Sequence, residues 1–310
     1  MNQHFSGDGP IELQNGPPAG AGAGRMTMAL SCTAQRAGRL SSFLRGELRL
    51  SDRLMNRLKW AGAVLVNGRP EHTDFPVQAG DTVTVLLDEP APDYPAEHAP
   101  IAIRYEDAHF LAVDKPAGML IHPSRNRVTG TLANRVWGYY QETGQHCAFH
   151  PVTRLDRDTF GIVLLAKHAH AHALAQAAPP KKRYHARTFG GPAENSGRID
   201  APIARRPYPS LLREVRPDGK PSVTEFQVLE RDAAGCRIAL FPITGRTHQL
   251  RLHCAYMGFP IVGDPQYGSE ASMRYSLNIG QPTQLLCAKA LDFCHPFTGE
   301  MLHLESEMDV

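Results

Sequence analysis

The sequence has no long apolar run, no Cys-x-x-Cys pair and no glycine-rich signature of a nucleotide-binding loop. Its longest apolar stretches, such as 162–166, are far too short to cross a bilayer, and the N-terminus shows no secretory signal pattern. Six scattered cysteines in 310 residues predict free thiols in a reducing compartment, so we expect a cytoplasmic protein without a membrane anchor. The missing glycine motifs argue against dinucleotide enzymes and phosphate-loop nucleotidases.

Net charge is also small, because 33 basic side chains stand against 31 acidic ones. The basic residues are nevertheless concentrated in one stretch that contains only two acids, Glu47 and Asp52. The members of this stretch are Arg36, Arg39, Arg45, Arg49, Arg53, Arg57 and Lys59. Such a patch can contact phosphates, although a charged run is often only the solvated face of a helix.

Composition separates three N-terminal segments. Residues 1–25 are rich in Gly, Pro, Ala and Asn, and this composition predicts a disordered tail. Residues 26–87 predict a small α+β module, with helical spacing over 40–50, a second helix capped by Ser51 and short strands that turn at "NG". Four prolines in 88–100 predict a stiff, exposed linker.

The remaining residues, 101–310, form a second predicted domain. Successive strand patterns such as "RYHARTF", "SVTEFQVL" and "CRIALF" follow one another with few helices between them. This order predicts an α+β fold on a mixed or mainly antiparallel sheet and argues against a doubly wound sheet.

Four charges alternate in sign just before the apolar run "GIVLLA": Arg154, Asp156, Arg157 and Asp158. A carboxylate beside guanidinium groups is held ionised, which makes Asp156 a candidate for an attacking or electrostatic role. From spacing alone, a polar turn that leads into a buried strand is the more common interpretation. An Asp-x-Asp phosphohydrolase of the haloacid-dehalogenase type is disfavoured, because no apolar strand precedes Asp156.

Two further segments carry candidate chemistry. In "ITGRTHQLRLHCAYMG" (243–258), Arg246 follows a glycine turn at the predicted start of a helix, where it can meet a carboxylate through two hydrogen bonds. In "KKRYHARTFG" (181–190), Tyr184 stands among basic residues that can hold a phosphate backbone while the ring stacks on a base. A half-buried strand tyrosine is an equally good interpretation of the second pattern.

The histidines do not predict a metal site. His248, His253 and Cys254 lack a second pair at ligand spacing, and the two-residue spacing of His168, His170 and His172 spreads them around a helix.

Taken in order, "DKPAGMLIHPS", "RLDRDTFGIVLLAK", "KKRYHARTFG", "GKPSVTEFQVLE" and "TGRTHQLRLHCAYMGFPIVGDPQYG" resemble the motifs of the RluA-like pseudouridine synthases. The resemblance extends over nearly all of 101–305. The region 28–87 resembles the RNA-binding domain of small-subunit ribosomal protein S-four, in which Arg53, Arg57 and Lys59 would face the RNA backbone.

The resemblance implies an isomerase that breaks the bond from uracil nitrogen to ribose, turns the base and rejoins the ribose to carbon five, without metal or cofactor. Asp156 would be the essential nucleophile, attacking either the base or the ribose. Tyr184 would stack on the uracil and assist proton removal, and Arg246 would pair with Asp156. Leu155 and Ile243 would form apolar walls, with Arg154 and Lys182 as RNA contacts.

Two positions depart from the family pattern. Thr153 stands where a histidine is usual, and Phe160 stands where a serine is common. We expect both to affect packing or RNA choice and to leave catalysis intact. The expected partner is structured RNA, with large-subunit ribosomal RNA first and transfer RNA second, bound by a monomer. The alternative is a non-catalytic RNA-binding protein on the same scaffold.

Overall fold

The computed structural model describes residues 12–14, 25–210 and 212–310, and along them the chain forms nineteen strands and six helices. The tail predicted over 1–25 lies largely outside the described residues. In its described part, strand β1 (Glu12–Gln14) pairs antiparallel with residues 29–31.

The N-terminal unit combines a five-stranded sheet with two helices. Its further elements are β2 (Arg25–Thr33), β3 (Gly38–Arg39), α1 (Leu40–Gly46), α2 (Asp52–Trp60), β4 (Val64–Val66), β5 (Arg69–Pro70), β6 (Pro76–Val77) and β7 (Thr82–Pro90). The sheet order is β1-β2-β7-β4-β5, and β3 pairs separately with β6. The sequence patterns do not predict β2, which pairs with β7 along its whole length.

Local chemistry explains the elements that the sequence does predict. The Ser51 hydroxyl accepts a hydrogen bond of 3.3 Å from the backbone N–H three residues on, and so caps α2. Asn67 and Gly68 take φ angles of 51° and 79°, as a type I′ turn between β4 and β5 requires.

The C-terminal unit is built on one large sheet. Its strands are β8 (Ala102–Glu106), β9 (Phe110–Lys115), β10 (His150–Pro151), β11 (Phe160–Ala166), β12 (Lys181–Phe189), β13 (Ser196–Asp200), β14 (Ile203–Arg205), β15 (Arg213–Val215), β16 (Val223–Arg231), β17 (Gly235–Pro242), β18 (Leu286–Cys294) and β19 (Met301–Glu305). Its helices are α3 (Leu132–Glu142), α4 (Ala169–Ala177), α5 (Gln249–Tyr256) and α6 (Glu270–Asn278). Among the described residues, none of the helices is long and apolar enough to cross a membrane.

The large sheet has the order β13-β16-β17-β12-β18-β11-β9-β8, with β10 on β11 and β19 on β18. The β11–β18 pair is parallel, and the other pairs of this sheet are antiparallel. This confirms the predicted α+β class with a mixed, mainly antiparallel sheet. The parallel pair brings the backbones close together, because a Cβ at Gly161 (φ 108°) would overlap the Ala288 carbonyl.

The two units pack against each other at the start of α4. The His170 ring donates from Nε2 to the Leu48 carbonyl at 2.8 Å, and Glu89 accepts from the Ala169 N–H at 2.7 Å. One hydrophobic core runs from the N-terminal sheet to β9 and α3. The N-terminal unit is therefore held against the larger one.

The segment 88–100, predicted to be an exposed linker, is partly strand and partly packed against α3. Its first three residues belong to β7. The rest lies along α3, where the Glu97 N–H donates to the Asn134 carbonyl at 2.9 Å. A Cβ at Gly138 of α3 would overlap the Glu97 carbonyl, so the segment and the helix are in direct contact.

Candidate active site

Asp156 lies in the loop between β10 and β11, and its side chain is 31% exposed, so a substrate can reach it. The fully buried Lys115 at the end of β9 fixes this loop. Its ammonium group donates to the carbonyls of Pro116, Met119 and Arg157, each at 2.9 Å. Burial lowers the pKa of Lys115 to about 8. The lysine thus ties the loop that follows β9 to the residue next to Asp156.

Arg251 of α5 is the arginine that pairs with the candidate nucleophile. Its Nη1 donates to Oδ2 of Asp156 at 3.2 Å. Its Nε and Nη2 donate to the two carboxylate oxygens of Asp264 at 2.7 and 2.8 Å, and Nη2 also donates to Gln266. Burial acts to lower the pKa of Arg251, but the hydrogen bonds and charges of the two carboxylates outweigh it and raise that pKa. A permanent cation therefore stands beside Asp156.

The structure thus corrects the assignment of this role to Arg246. Arg246 is exposed in the turn before α5, and its Nε donates to the Pro221 carbonyl at 3.2 Å. The helix begins at Gln249, so Arg246 precedes it, whereas Arg251 lies in its first turns and is buried. The structure supplies the reason in Asp264, because a buried carboxylate requires a buried cation and Arg251 provides it.

His248 is a further group near the carboxylate, with Nε2 3.9 Å from Oδ2 of Asp156. Its Nδ1 lies 2.8 Å from the Tyr267 hydroxyl, whose oxygen accepts from the Arg213 N–H. In the tautomer in which the Tyr267 hydroxyl donates to Nδ1, a neutral His248 carries its own proton on Nε2, facing Asp156. Burial lowers the pKa of His248, which favours this neutral form. Its backbone is left-handed (φ 56°), as residues at functional sites often are.

Tyr184 is buried on β12, where the register with β18 shifts between Arg183 and Tyr184. A bulge of this kind reorients a side chain beside a site. Burial raises the pKa of Tyr184, and the negative charge of Asp156 raises it further. Tyr184 is consequently a neutral phenol that offers a ring face and a proton, rather than a phenolate base.

The predicted RNA contacts and apolar wall residues lie in different environments, some exposed and some partly buried. Arg154 is exposed, and its positive charge adds to burial in lowering the pKa of Lys182. Leu155 packs between the two main hydrophobic clusters of the molecule. Ile243 follows β17 and is 60% exposed.

The two departures from the family pattern occupy structural positions. Thr153 is buried, and its Oγ1 accepts the Leu164 N–H at 3.0 Å. Phe160 is the half-buried first residue of β11 and pairs with Cys287. The Thr153 hydroxyl therefore stabilises the return of the Asp156 loop to the sheet.

The predicted RNA-facing residues of the N-terminal unit, Arg53, Arg57 and Lys59, are all exposed on α2. Trp60 follows them and is 85% exposed, with the Lys59 ammonium 5.7 Å from its ring centroid. The sequence interpretation overlooked Trp60, although an aromatic residue at the end of a basic run is a recognisable signal of base stacking.

The histidines of α4 have structural partners. His168 caps the helix by accepting the Ala171 N–H on Nδ1, so its Nε2 carries the proton that faces His109 Nδ1 at 3.0 Å. Burial lowers the pKa of His109 to about 4. Within the described part of the chain, no three His, Cys, Asp or Glu side chains are grouped so that they could hold a metal ion.

This architecture has known counterparts. A family model described as RNA pseudouridylate synthase matches residues 109–256. "Uncharacterized RNA pseudouridine synthase YjbO" of Bacillus subtilis (strain 168) is 38% identical over 270 residues, which cover 85% of this chain and 93% of the relative. "Ribosomal large subunit pseudouridine synthase D" of Pseudomonas aeruginosa is 35% identical over 263 residues, 81% of this chain and 80% of the relative. The structure of human "RNA Pseudouridylate Synthase Domain Containing 1" matches with a TM-score of 0.56 at 26% identity, covering 69% of this chain and 86% of that one.

The fold and the carboxylate loop therefore define an RNA pseudouridine synthase, an isomerase that acts on uridine in RNA. More closely, the chain belongs to the RluA-like family of these enzymes, as its ordered motifs predict.

Proposed function

We propose that the enzyme isomerises specific uridines in large-subunit ribosomal RNA, with Asp156 as nucleophile, Tyr184 against the base and Arg251 holding the carboxylate. The observation that carries the assignment of Asp156 is its asymmetric pairing. Arg251 binds Oδ2, while Oδ1 has no hydrogen-bond partner among the described residues. An ionised carboxylate with one free oxygen is a suitable nucleophile.

The reaction conserves atoms and electrons. The carboxylate forms a bond to the base or the ribose, and the bond from ribose to uracil nitrogen breaks. A bond from ribose to carbon five then forms, and the bond to Asp156 breaks again, which regenerates the carboxylate. One proton leaves carbon five and one is gained at the nitrogen. The neutral Tyr184 stacks on the uracil, and His248 stands near enough to Asp156 to take part in moving that proton.

The RNA assignment rests on two supports. The curated relatives include proteins named as ribosomal large subunit pseudouridine synthases. In addition, Arg53, Arg57 and Lys59 present three cations on α2, next to the exposed Trp60 ring. We propose that this basic surface of α2 binds the phosphate backbone of a structured RNA, with Arg154 and Lys182 as contacts near the active site.

All proposed catalytic side chains come from one chain, so we further propose that the enzyme works as a monomer, which light scattering of the purified protein measures. The absence of disulfides among the described cysteines is compatible with the predicted cytoplasmic location, which stays part of this proposal.

The decisive experiment maps pseudouridines in ribosomal and transfer RNA with and without the gene. We expect one or a few large-subunit sites to disappear and to return on complementation with the wild-type gene. The Asp156→Asn protein should restore none of them while binding the same RNA with an affinity within about threefold, since the change keeps the size of the side chain and removes only one half-buried charge. Loss of sites in transfer RNA alone would refute the ribosomal assignment, and restoration by Asp156→Asn would make the protein a binder or place the nucleophile elsewhere.

A further inference from the structure

A cavity of about 350 Å³ lies between the segment 93–95 and the loop 122–125 with Val128. This volume is at the lower end of the range of about 300 to 1,000 Å³ that is typical of sites for small ligands. The cavity therefore has room for one nucleotide, and none for a helix or a folded partner.

Hydrogen bonds within the protein hold the walls of the cavity in place. Asn134 at the start of α3 is fully buried, and its side-chain amide donates to the Pro95 carbonyl at 2.8 Å and to the Val128 carbonyl at 3.0 Å. Glu97 reinforces the arrangement by accepting the Gly130 N–H. One buried amide thus ties the proline-rich segment to the opposite loop, and a ligand would meet a preformed site.

The chain links the cavity to the active-site loop. The loop that forms one wall follows Lys115, whose ammonium group donates to the Arg157 carbonyl at 2.9 Å, next to Asp156, and this loop carries His122 and Arg125 to the cavity. Burial lowers the pKa of His122, and the positive charge of Arg154, two residues before Asp156, lowers it further.

We infer that this cavity receives one unpaired nucleotide of the RNA strand that carries the target uridine. Tyr94 and His122 supply ring faces for a base, Arg125 supplies a cation for its phosphate, and Asp93 at the rim supplies an acceptor for an exocyclic amine. The inference rests on the proposed function in one respect only, that the substrate is RNA with a strand continuing past the uridine.

The consequence concerns substrate class. Drawing a second nucleotide out of its stack costs a few kcal/mol in a duplex and least in a strand that is already unpaired. The enzyme would therefore select uridines in loops or bulges over uridines in continuous helices, because only there is the neighbouring nucleotide available.

The test compares Arg125→Ala and His122→Ala with Arg198→Ala, which removes an exposed arginine from β13 at the far edge of the sheet. The substrate is RNA from a strain that lacks the gene, and pseudouridine formation is measured at several salt concentrations. We expect each cavity variant to raise KM about tenfold with little change in kcat, and only Arg125→Ala to lower the salt dependence by about one phosphate contact. Arg198→Ala should leave both parameters close to wild type. Cavity variants that match Arg198→Ala overturn the inference.

A second measurement is independent of variants. Wild-type protein and the same RNA are irradiated with ultraviolet light, and crosslinked peptides are identified by mass spectrometry. Crosslinks at Tyr94 or His122 support the inference, whereas crosslinks confined to α2 and the Asp156 loop overturn it. Failure of the ribosomal assignment remains distinguishable, because wild-type protein would then modify transfer RNA and not ribosomal RNA, and both measurements proceed on that RNA.

Discussion

Replacement of Arg251 tests whether Arg251, as in the structure, or Arg246, as predicted from the sequence, is the partner of Asp156. The Arg251 guanidinium uses three nitrogens for two carboxylates: two toward Asp264, at 2.7 and 2.8 Å, and one toward Asp156, at 3.2 Å. Arg251→Met leaves the fully buried Asp264 without its cation, and such a loss costs about 3 to 5 kcal/mol. We expect the lower end of that range, because two backbone N–H groups still bond to Asp264.

Arg251→Lys tests geometry at constant charge. A single ammonium group cannot reproduce a planar fork that reaches two carboxylates, so Asp156 loses its alignment while Asp264 keeps a counter-charge. Misplacement of a reacting group by about 1 Å costs roughly 100-fold in rate, and we expect a fall in kcat of that order. The loss of stability should be smaller than that of Arg251→Met, as urea unfolding measures.

Arg246→Ala is the matched control. Its side chain is exposed, and its Nε bonds only to a backbone carbonyl, so we expect a free energy of unfolding within about 0.5 kcal/mol of wild type. At saturating RNA, kcat should stay within about a factor of two, which corresponds to the same energy. A large fall in kcat for Arg246→Ala together with an active Arg251→Lys would refute the assignment of the arginine.

Three further outcomes follow from buried or exposed groups. The pKa of His109 is about 4 in the folded protein and about 6.5 in the unfolded chain. Between these pH values the unfolded chain binds one more proton than the folded protein. We therefore expect His109 to lower the free energy of unfolding by about 3 kcal/mol as the pH drops from 6.5 to 4. Urea unfolding at several pH values measures the fall, and a His109→Gln protein that keeps all of it contradicts the assignment. Lys115→Met leaves three carbonyls without their donor and should cost about 3 kcal/mol in the same assay; an unchanged unfolding midpoint would show that Lys115 does not stabilise the loop. Trp60→Ala should weaken RNA binding by about 1 to 3 kcal/mol in a filter-binding assay, whereas Leu277→Ala, which removes another exposed apolar side chain from α6, should not; equal effects would exclude stacking.

The sequence was sufficient for the elements whose signals are local. The Ser51 cap, the Asn67-Gly68 turn and the apolar strand β11 each depend on neighbouring residues, and each lies where the pattern predicts it. Strand β2 escaped prediction because its pairing with β7 joins residues 49 to 65 positions apart, and such pairing leaves no local trace. The same is true of β18, whose parallel pairing with β11 joins Phe160 to Cys287, 127 positions away.

The site was predictable in its residue types and only partly in their roles. Asp156 and Tyr184 came from motifs, and the structure brings Tyr184 within the electrostatic influence of the Asp156 carboxylate. The choice between Arg246 and Arg251 depended on where α5 begins, and helix boundaries are the least certain part of sequence interpretation. The proline-rich segment was expected to be exposed because composition reports stiffness and says nothing of the buried Asn134 amide that holds it.

Arg251 is shared between two carboxylates, and this sharing determines how Asp156 is oriented. Asp264 takes the shorter bonds and both of its oxygens are engaged, so it fixes the plane of the guanidinium. Asp156 receives the remaining nitrogen at a longer distance and on one oxygen. If Arg251 met Asp156 through both oxygens, neither oxygen would be free to attack. A buried second carboxylate that engages two of the three bonding nitrogens of the arginine therefore leaves Asp156 oriented and still able to attack.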